Sequence, residues 1–139
     1  MTQTRTVLLV EDDHDLRILL RQVLTRCPCD VLEAGGAEAI AVCERHPGPV
    51  HLLLTDLNKP GMTGPQLATR VRALRPGVRV LHLSGWPLLR PYPGHAHDRI
   101  LLKPFRLPEL VDKVLELLPG SEPKQVADSA VVGRCDRAT

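Results

Sequence analysis

Aromatic residues are nearly missing from this chain of 139 residues, which contains one Trp, one Tyr and one Phe. Apolar residues still make up 43% of the sequence, so its core must be built mainly from Leu, Val and Ala. No apolar run approaches the roughly 18 residues that a membrane span needs. The N-terminus also lacks the charged-then-apolar layout of a signal peptide, and we therefore expect a cytoplasmic protein.

A strong charge of either sign is absent as well. The formal net charge is +2, and the arginines are scattered without forming a basic block. Composition therefore gives no support for a nucleic-acid or membrane partner. Zinc-ligand spacing is missing too, because Cys27 and Cys29 are separated by one residue and no second pair accompanies them. We predict reduced cysteines with a structural role.

Short apolar runs alternate with segments of helical periodicity. The predicted strands are residues 7–10, 31–32, 50–55, 78–83 and 100–102. The predicted helices are residues 13–26, 37–45, 64–74 and 107–118. This alternation predicts right-handed βαβ units and a parallel sheet covered on both sides. We therefore predict an α/β, flavodoxin-like doubly wound domain with five parallel strands in the order 2-1-3-4-5.

Prolines and glycines suggest where this domain ends and where it is irregular. The length suits one domain, which we place at residues 1–118. A Pro-Gly pair at 119–120 indicates a helix stop, so residues 119–139 are predicted to be a flexible C-terminal tail. Between the fourth and fifth strands, Pro91 and Pro93 follow Pro87 closely. We therefore predict that the helix between these two strands, the fourth helix of this fold, is short or missing, with at most about one turn.

Four of the predicted strands end at polar side chains. Glu11 and Asp12 follow the first strand, Asp56 the third, Ser84 the fourth and Lys103 the fifth. The carboxyl ends of parallel strands line one edge of a sheet, and in the predicted order the first and third strands are neighbours. Neighbouring strands lie about 4.8 Å apart, so these side chains are expected to converge.

Three converging carboxylates need a neutralising partner. Two unit charges about 4 Å apart repel by roughly 4 kcal/mol at an effective dielectric near 20. Either one acid is protonated, or a divalent cation such as Mg²⁺, Mn²⁺ or Ca²⁺ is bound by oxygen ligands. With a metal present, Asp56 could attack a phosphoryl group, while Lys103 and Ser84 contact its oxygens. Taken alone, acids before a helix are more typical of N-terminal capping and dipole compensation.

As a set, these residues make the sequence resemble the receiver domain of two-component response regulators, over about residues 5–118. The segments that carry the resemblance are Val10-Glu11-Asp12-Asp13 with Arg17, Asp56-x-x-x-Pro60-Gly61-Met62-x-Gly64, Ser84-Gly85 and Leu102-Lys103-Pro104-Phe105. Each segment alone is weak evidence, but their joint occurrence in this order is highly specific.

The resemblance implies a phospho-acceptor that depends on Mg²⁺, with Mn²⁺ as a substitute. Asp56 would receive the phosphoryl group from a histidine of a sensor kinase or of a histidine phosphotransfer protein. Asp12 would ligate the metal directly, Glu11 through water, and Asn58 through its backbone carbonyl, alongside Asp56. The only turnover expected is slow autodephosphorylation, so the chain is not expected to be an enzyme acting on outside substrates.

The same resemblance implies a switch. Ser84 would be the switch hydroxyl and Lys103 the phosphate-sensing lysine, with a cis peptide bond before Pro104. Phosphorylation would then change the binding of an unknown downstream protein by a stand-alone receiver.

The sequence also departs from the family pattern. Ile100 stands where the family commonly has an aromatic readout residue, and Lys59 stands where an apolar residue is usual. The alternative function is therefore a phosphorylation-independent protein-interaction module with the receiver fold. The identity of the partners, a homodimeric state and origin as a piece of a hybrid kinase all stay open.

Overall fold

The computed structural model describes residues 5–57, 61–85 and 99–118, and the structural statements below concern those residues. Its strands are β1 Arg5–Val10, β2 Cys29–Ala34, β3 Leu52–Asp56, β4 Arg79–Ser84 and β5 Arg99–Leu102. All neighbouring strands are parallel, and they form one sheet in the order β2-β1-β3-β4-β5. The predicted doubly wound order is confirmed.

Helices connect the strands and cover the sheet. They are α1 His14–Leu24, α2 Ala39–Arg45, α3 Gly64–Leu74 and α4 Leu107–Leu117, with a single 3₁₀ turn at Gly36–Glu38 before α2. Most of the connection from β4 to β5 lies outside the described residues, as does the tail at 119–139. The short or missing helix between β4 and β5 and the flexible tail therefore stay predictions.

Capping side chains determine where two helices begin. The predicted start of the first helix at residue 13 is wrong by one position, because Asp13 is the N-cap: its Oδ1 accepts from the backbone N–H groups of Asp15 at 3.0 Å and Leu16 at 3.2 Å. For α3 the predicted start is confirmed. There Thr63 and Gln66 form a reciprocal capping box with bonds of 2.9 and 3.3 Å.

The core is aliphatic and lies on both faces of the sheet. Along β1, Val7 and Leu9 pack into the cluster that includes α1 and α4, whereas Leu8 and Val10 pack into the cluster with α2 and α3. Helical periodicity places Leu19 with the apolar residues Leu16, Leu20, Val23 and Leu24 of α1, but Leu19 keeps 42% of its surface exposed. The buried stripe is narrower than the sequence suggests because only one face of α1 meets the sheet.

The strand register brings the predicted site residues to one edge. Asp56 of β3 pairs with Leu83 of β4, and Ser84 pairs with Leu102 of β5. Backbone bonds extend this pairing by one residue, with Lys103 N donating to Ser84 O at 2.7 Å. The ends of the three strands are thereby fixed relative to one another. In the described part of the chain, no helix has the length and apolar character required to cross a membrane.

Candidate functional site

Asp56 and Lys103 form an ion pair across the end of the sheet. Asp56 is the last residue of β3, and Lys103 follows β5, two strands away. The Lys103 Nζ lies 3.1 Å from Asp56 Oδ1, which is the geometry of a charge-assisted hydrogen bond. The side chain of Asp56 is 18% exposed and that of Lys103 is 36% exposed. The carboxylate is thus held in place yet open to an incoming group.

Glu11 is a buried acid beside this pair. It is only 4% exposed, and its Oε2 accepts from the backbone N–H of Asp13 at 3.0 Å. Burial raises the pKa of Glu11 to about 7; the Asp13 bond opposes the shift, the neighbouring Asp56 carboxyl adds to it, and the charge of Lys103 lowers it. A buried carboxyl next to a second carboxyl therefore resists ionisation.

The donor set at this position fits a hard divalent cation. The second oxygen of Glu11, Oε1, is buried and has no hydrogen-bond partner among the residues that the structure describes. Two ionised carboxylates repel and neither can donate a hydrogen bond, so a proton or a cation would stabilise Glu11 beside Asp56. Carboxylate oxygens beside a phosphoryl site are the ligands that Mg²⁺ prefers. Glu11 and Asp56 are therefore the described residues that would hold such a cation.

One carboxylate oxygen of Asp12 is bound to the turn that follows β2. Its Oδ1 accepts from the backbone N–H of Gly36 at 2.6 Å, in the turn that follows β2. Within the described ranges, no three Asp, Glu, His or Cys side chains gather into a group able to hold a metal. The expectation that Glu11, Asp12 and Asp56 share one cluster is thus not met in this conformation. Their individual ligand roles stay predictions, and Asn58 lies outside the described residues.

Ser84 lies at the predicted strand end, and the peptide bond after Lys103 has the predicted geometry. Ser84 is buried at the end of β4, one residue beyond the position that pairs with Asp56. The Lys103–Pro104 bond is cis, as expected. Ile100, which replaces the usual aromatic residue, is half-buried in β5. The proposed phosphoryl contact of the Ser84 hydroxyl stays a prediction.

Sequence reasoning missed the close packing beneath Asp56. A Cβ added at Gly64 would collide with the backbone oxygen of Asp56 and lie 2.8 Å from Nδ1 of the fully buried His82. The Gly64 N–H donates to Leu57 O at 2.8 Å, which draws the start of α3 onto the end of β3. The available signals were a histidine between two leucines in β4 and a glycine at the start of α3.

The chain matches known proteins over most of its length. The family model described as the response regulator receiver domain matches residues 7–115. The response regulator receiver protein CpdR of Brucella abortus (strain 2308) is 31% identical over 118 residues, which cover 82% of this chain and 97% of CpdR. The sensor kinase CckA of the same organism is 33% identical over 122 residues, which cover 85% of this chain but 13% of CckA.

A solved structure gives the same result. A chain in the crystal structure of the histidine kinase ThkA in complex with the response regulator protein TrrA matches this chain with a TM-score of 0.68 and 26% identity. The match covers 83% of this chain and 99% of that chain. This likeness agrees with the sheet order and the strand-end residues described above. The chain belongs to the response regulator receiver domain family of two-component signalling.

Proposed function

We propose that this chain is a receiver that accepts a phosphoryl group on Asp56 and changes its affinity for a partner protein. The observation that carries the proposal is the Asp56–Lys103 pair, 3.1 Å apart, beside the buried Glu11. A partly exposed carboxylate is able to act as a nucleophile, while the adjacent ammonium group attracts an anionic donor. The donor would be a phosphohistidine of a sensor kinase or of a histidine phosphotransfer protein.

The transfer is a single displacement at phosphorus. An Asp56 oxygen forms the new O–P bond, the N–P bond of the phosphohistidine breaks, and the released imidazole takes up a proton. The carboxylate loses its charge as it becomes an acyl phosphate. Lys103 can then leave its original partner and pair with the more highly charged phosphoryl oxygens, while the Ser84 hydroxyl donates to another. Bound Mg²⁺ would supply charge neutralisation during this step.

Exchange of the ion-pair partner is the proposed origin of the switch. The backbone N–H of Lys103 donates to Ser84 O, and this hydrogen bond joins the ends of β5 and β4. A shift of one of these residues is therefore expected to shift the other. A new phosphoryl contact from each side chain would pull these two ends toward Asp56. A partner that binds the exposed surface there would distinguish the two states.

Substitution of Asp56 by Asn tests the proposal. Wild-type protein incubated with acetyl phosphate and Mg²⁺ should gain one acid-labile phosphoryl group, detected by intact-mass spectrometry. D56N should gain none, because an amide cannot form the acyl phosphate. The control is D112N, which alters an exposed aspartate on α4 and should label like wild type. Equal labelling of D56N and wild type would contradict the proposal.

A phosphorylation-independent interaction module is the second candidate. The observation that favours it is the aliphatic Ile100, half-buried in β5 at the position of the usual aromatic readout residue. This candidate predicts that a partner protein isolated by pull-down binds D56N and wild type equally, with or without beryllofluoride. Under the first proposal, beryllofluoride and Mg²⁺ should change partner binding by wild type only. Release of phosphate from general ester substrates is expected in neither case.

A further inference from the structure

We propose that Arg17 is a positioning residue for the metal-binding acids, because it ties the turn that carries Glu11 to the edge strand β2. The inference rests on the proposed function, since it concerns the same metal site. Arg17 touches neither Asp56 nor Lys103 in the described contacts. Its influence would act entirely through the backbone of Glu11.

The guanidinium of Arg17 bridges two elements. Its Nη1 donates to the backbone oxygen of Glu11 at 2.9 Å. Its Nε lies 3.7 Å from Oε1 of Glu33, a residue of β2. The side chain is half-buried, so both contacts are partly protected from water. The group therefore connects α1, the end of β1 and the end of β2.

Glu11 is held at three points. Its backbone N–H donates to Ala34 O of β2 at 3.1 Å, its backbone oxygen accepts from Arg17, and its Oε2 accepts from Asp13 N. The partners in the first and third contacts are backbone groups of Ala34 and Asp13. The second contact is the one that another residue's side chain, that of Arg17, makes with Glu11. Fixed in this way, the turn leaves Glu11 Oε1 buried and with no donor among the residues of 5–57, 61–85 and 99–118. Removal of the Arg17 contact would free the peptide group that follows Glu11.

A guanidinium suits this place better than an ammonium group. Its planar fork can donate to a carbonyl and a carboxylate at once, whereas lysine is a point charge on a flexible stem. Groups that orient metal ligands typically change metal affinity by about 10–100-fold when mutated. Loss of a positive charge near the site would, by electrostatics alone, strengthen cation binding. Positioning and charge therefore predict changes of opposite sign.

Arg21 provides a matched control. It forms the shorter ion pair with Glu33, 2.9 Å from Nε to Oε2, but it is exposed and lies one helical turn farther along α1. R21A removes the same charge and a contact to the same carboxylate. R17A additionally removes the bond to Glu11. The comparison isolates that bond.

The experiment measures Mg²⁺ affinity by isothermal titration calorimetry on the full chain, with thermal unfolding in EDTA to verify folding. We expect R17A to bind Mg²⁺ about tenfold or more weakly than wild type, R21A to bind as tightly as wild type, and R17K to recover only part of the loss. In metal-free ¹⁵N spectra, the amide signals of Glu11 and Asp13 should shift in R17A more than in R21A.

The outcomes separate this inference from the proposed function. If wild type binds no Mg²⁺, the metal-dependent function itself is wrong. If wild type binds and folded R17A binds within twofold of R21A, or R17K binds like wild type, the positioning role is overturned. Should R17A fail to fold, R17M keeps most of the side-chain volume while removing the guanidinium and its contacts. R17M should then bind Mg²⁺ more weakly than R21A, and equal affinity would refute the inference.

Discussion

Position 64 has no room for a β-carbon, and this constraint operates directly beneath the proposed acceptor. The added carbon would meet the backbone oxygen of Asp56, the α-carbon of Leu57 at 2.9 Å and Nδ1 of His82 at 2.8 Å. Two of these atoms belong to the backbone of the β3 end, which cannot move without displacing the Asp56 carboxylate. The absence of a side chain at residue 64 therefore sets the position of the site.

We expect Gly64→Ala to lower the free energy of unfolding by about 2–3 kcal/mol, because the clash is with packed backbone rather than with a flexible side chain. The control is Gly77→Ala, since a Cβ at Gly77 meets nothing within 4 Å. The control should change stability by no more than about 0.5 kcal/mol. Urea unfolding followed by far-UV circular dichroism measures both variants, and equal stabilities would contradict the packing argument.

At the scale of elements, Arg75 joins the end of α3 to the end of α2. Its guanidinium donates to Cys43 O at 3.0 Å, His46 O at 2.8 Å and Gly48 O at 3.3 Å. These carbonyl groups lie in and after the last turn of α2, where helical partners run out. One side chain thus satisfies acceptors that would otherwise need water, and it fixes the packing of α2 against α3.

Arg75→Ala should destabilise the fold by about 2 kcal/mol, because several part-buried carbonyls lose a charged donor at once. Arg75→Lys should recover less than half of this loss, since an ammonium group cannot reproduce the fork. Arg70→Ala, on the exposed face of the same helix, serves as the control and should be nearly neutral. Thermal unfolding distinguishes them; an Arg75→Ala melting temperature equal to that of Arg70→Ala would show that the bridge contributes nothing.

Elements were predictable from the sequence to the extent that their signals are local. Apolar runs located all five strands, and Gly64-Pro65 located the start of α3, because these signals depend only on neighbours in the chain. The exposure of Leu19 was not predictable, because helical periodicity does not say how wide a face the sheet will cover. The bond from Gly36 N–H to Asp12 was also hidden, since it joins residues 24 positions apart.

For the molecule as a whole, the two acids of the candidate site lower the free energy of unfolding of the metal-free protein. The two acids that suit it to a cation, Glu11 and Asp56, repel each other when no cation is bound. The folded pKa of Glu11, about 7, lies above its ordinary 4.5. A raised acid pKa means that the group's contribution to stability is fully present below pH 4.5 and is lost as the pH rises through about 7. Metal-free protein at pH 8 should therefore carry a penalty for ionised Glu11.

Glu11→Gln should remove that penalty, because the amide has a similar shape and no charge. In EDTA at pH 8, E11Q should be more stable than wild type by on the order of 1 kcal/mol, whereas at pH 4 the two should nearly coincide. The control E44Q replaces an exposed glutamate on α2 and should follow wild type at both pH values.

Added Mg²⁺ should reverse the order of stability. A cation that binds only the folded state stabilises it by RT ln(1 + c/Kd), where c is the free Mg²⁺ concentration, and this gain keeps rising with c. Wild type should therefore gain melting temperature with increasing Mg²⁺ at pH 8, and E11Q should gain much less because it has lost one oxygen ligand with full charge. If E11Q is less stable than wild type in EDTA at pH 8, ionised Glu11 does not destabilise the metal-free fold. The acids that suit the site to a cation would then carry no cost in stability.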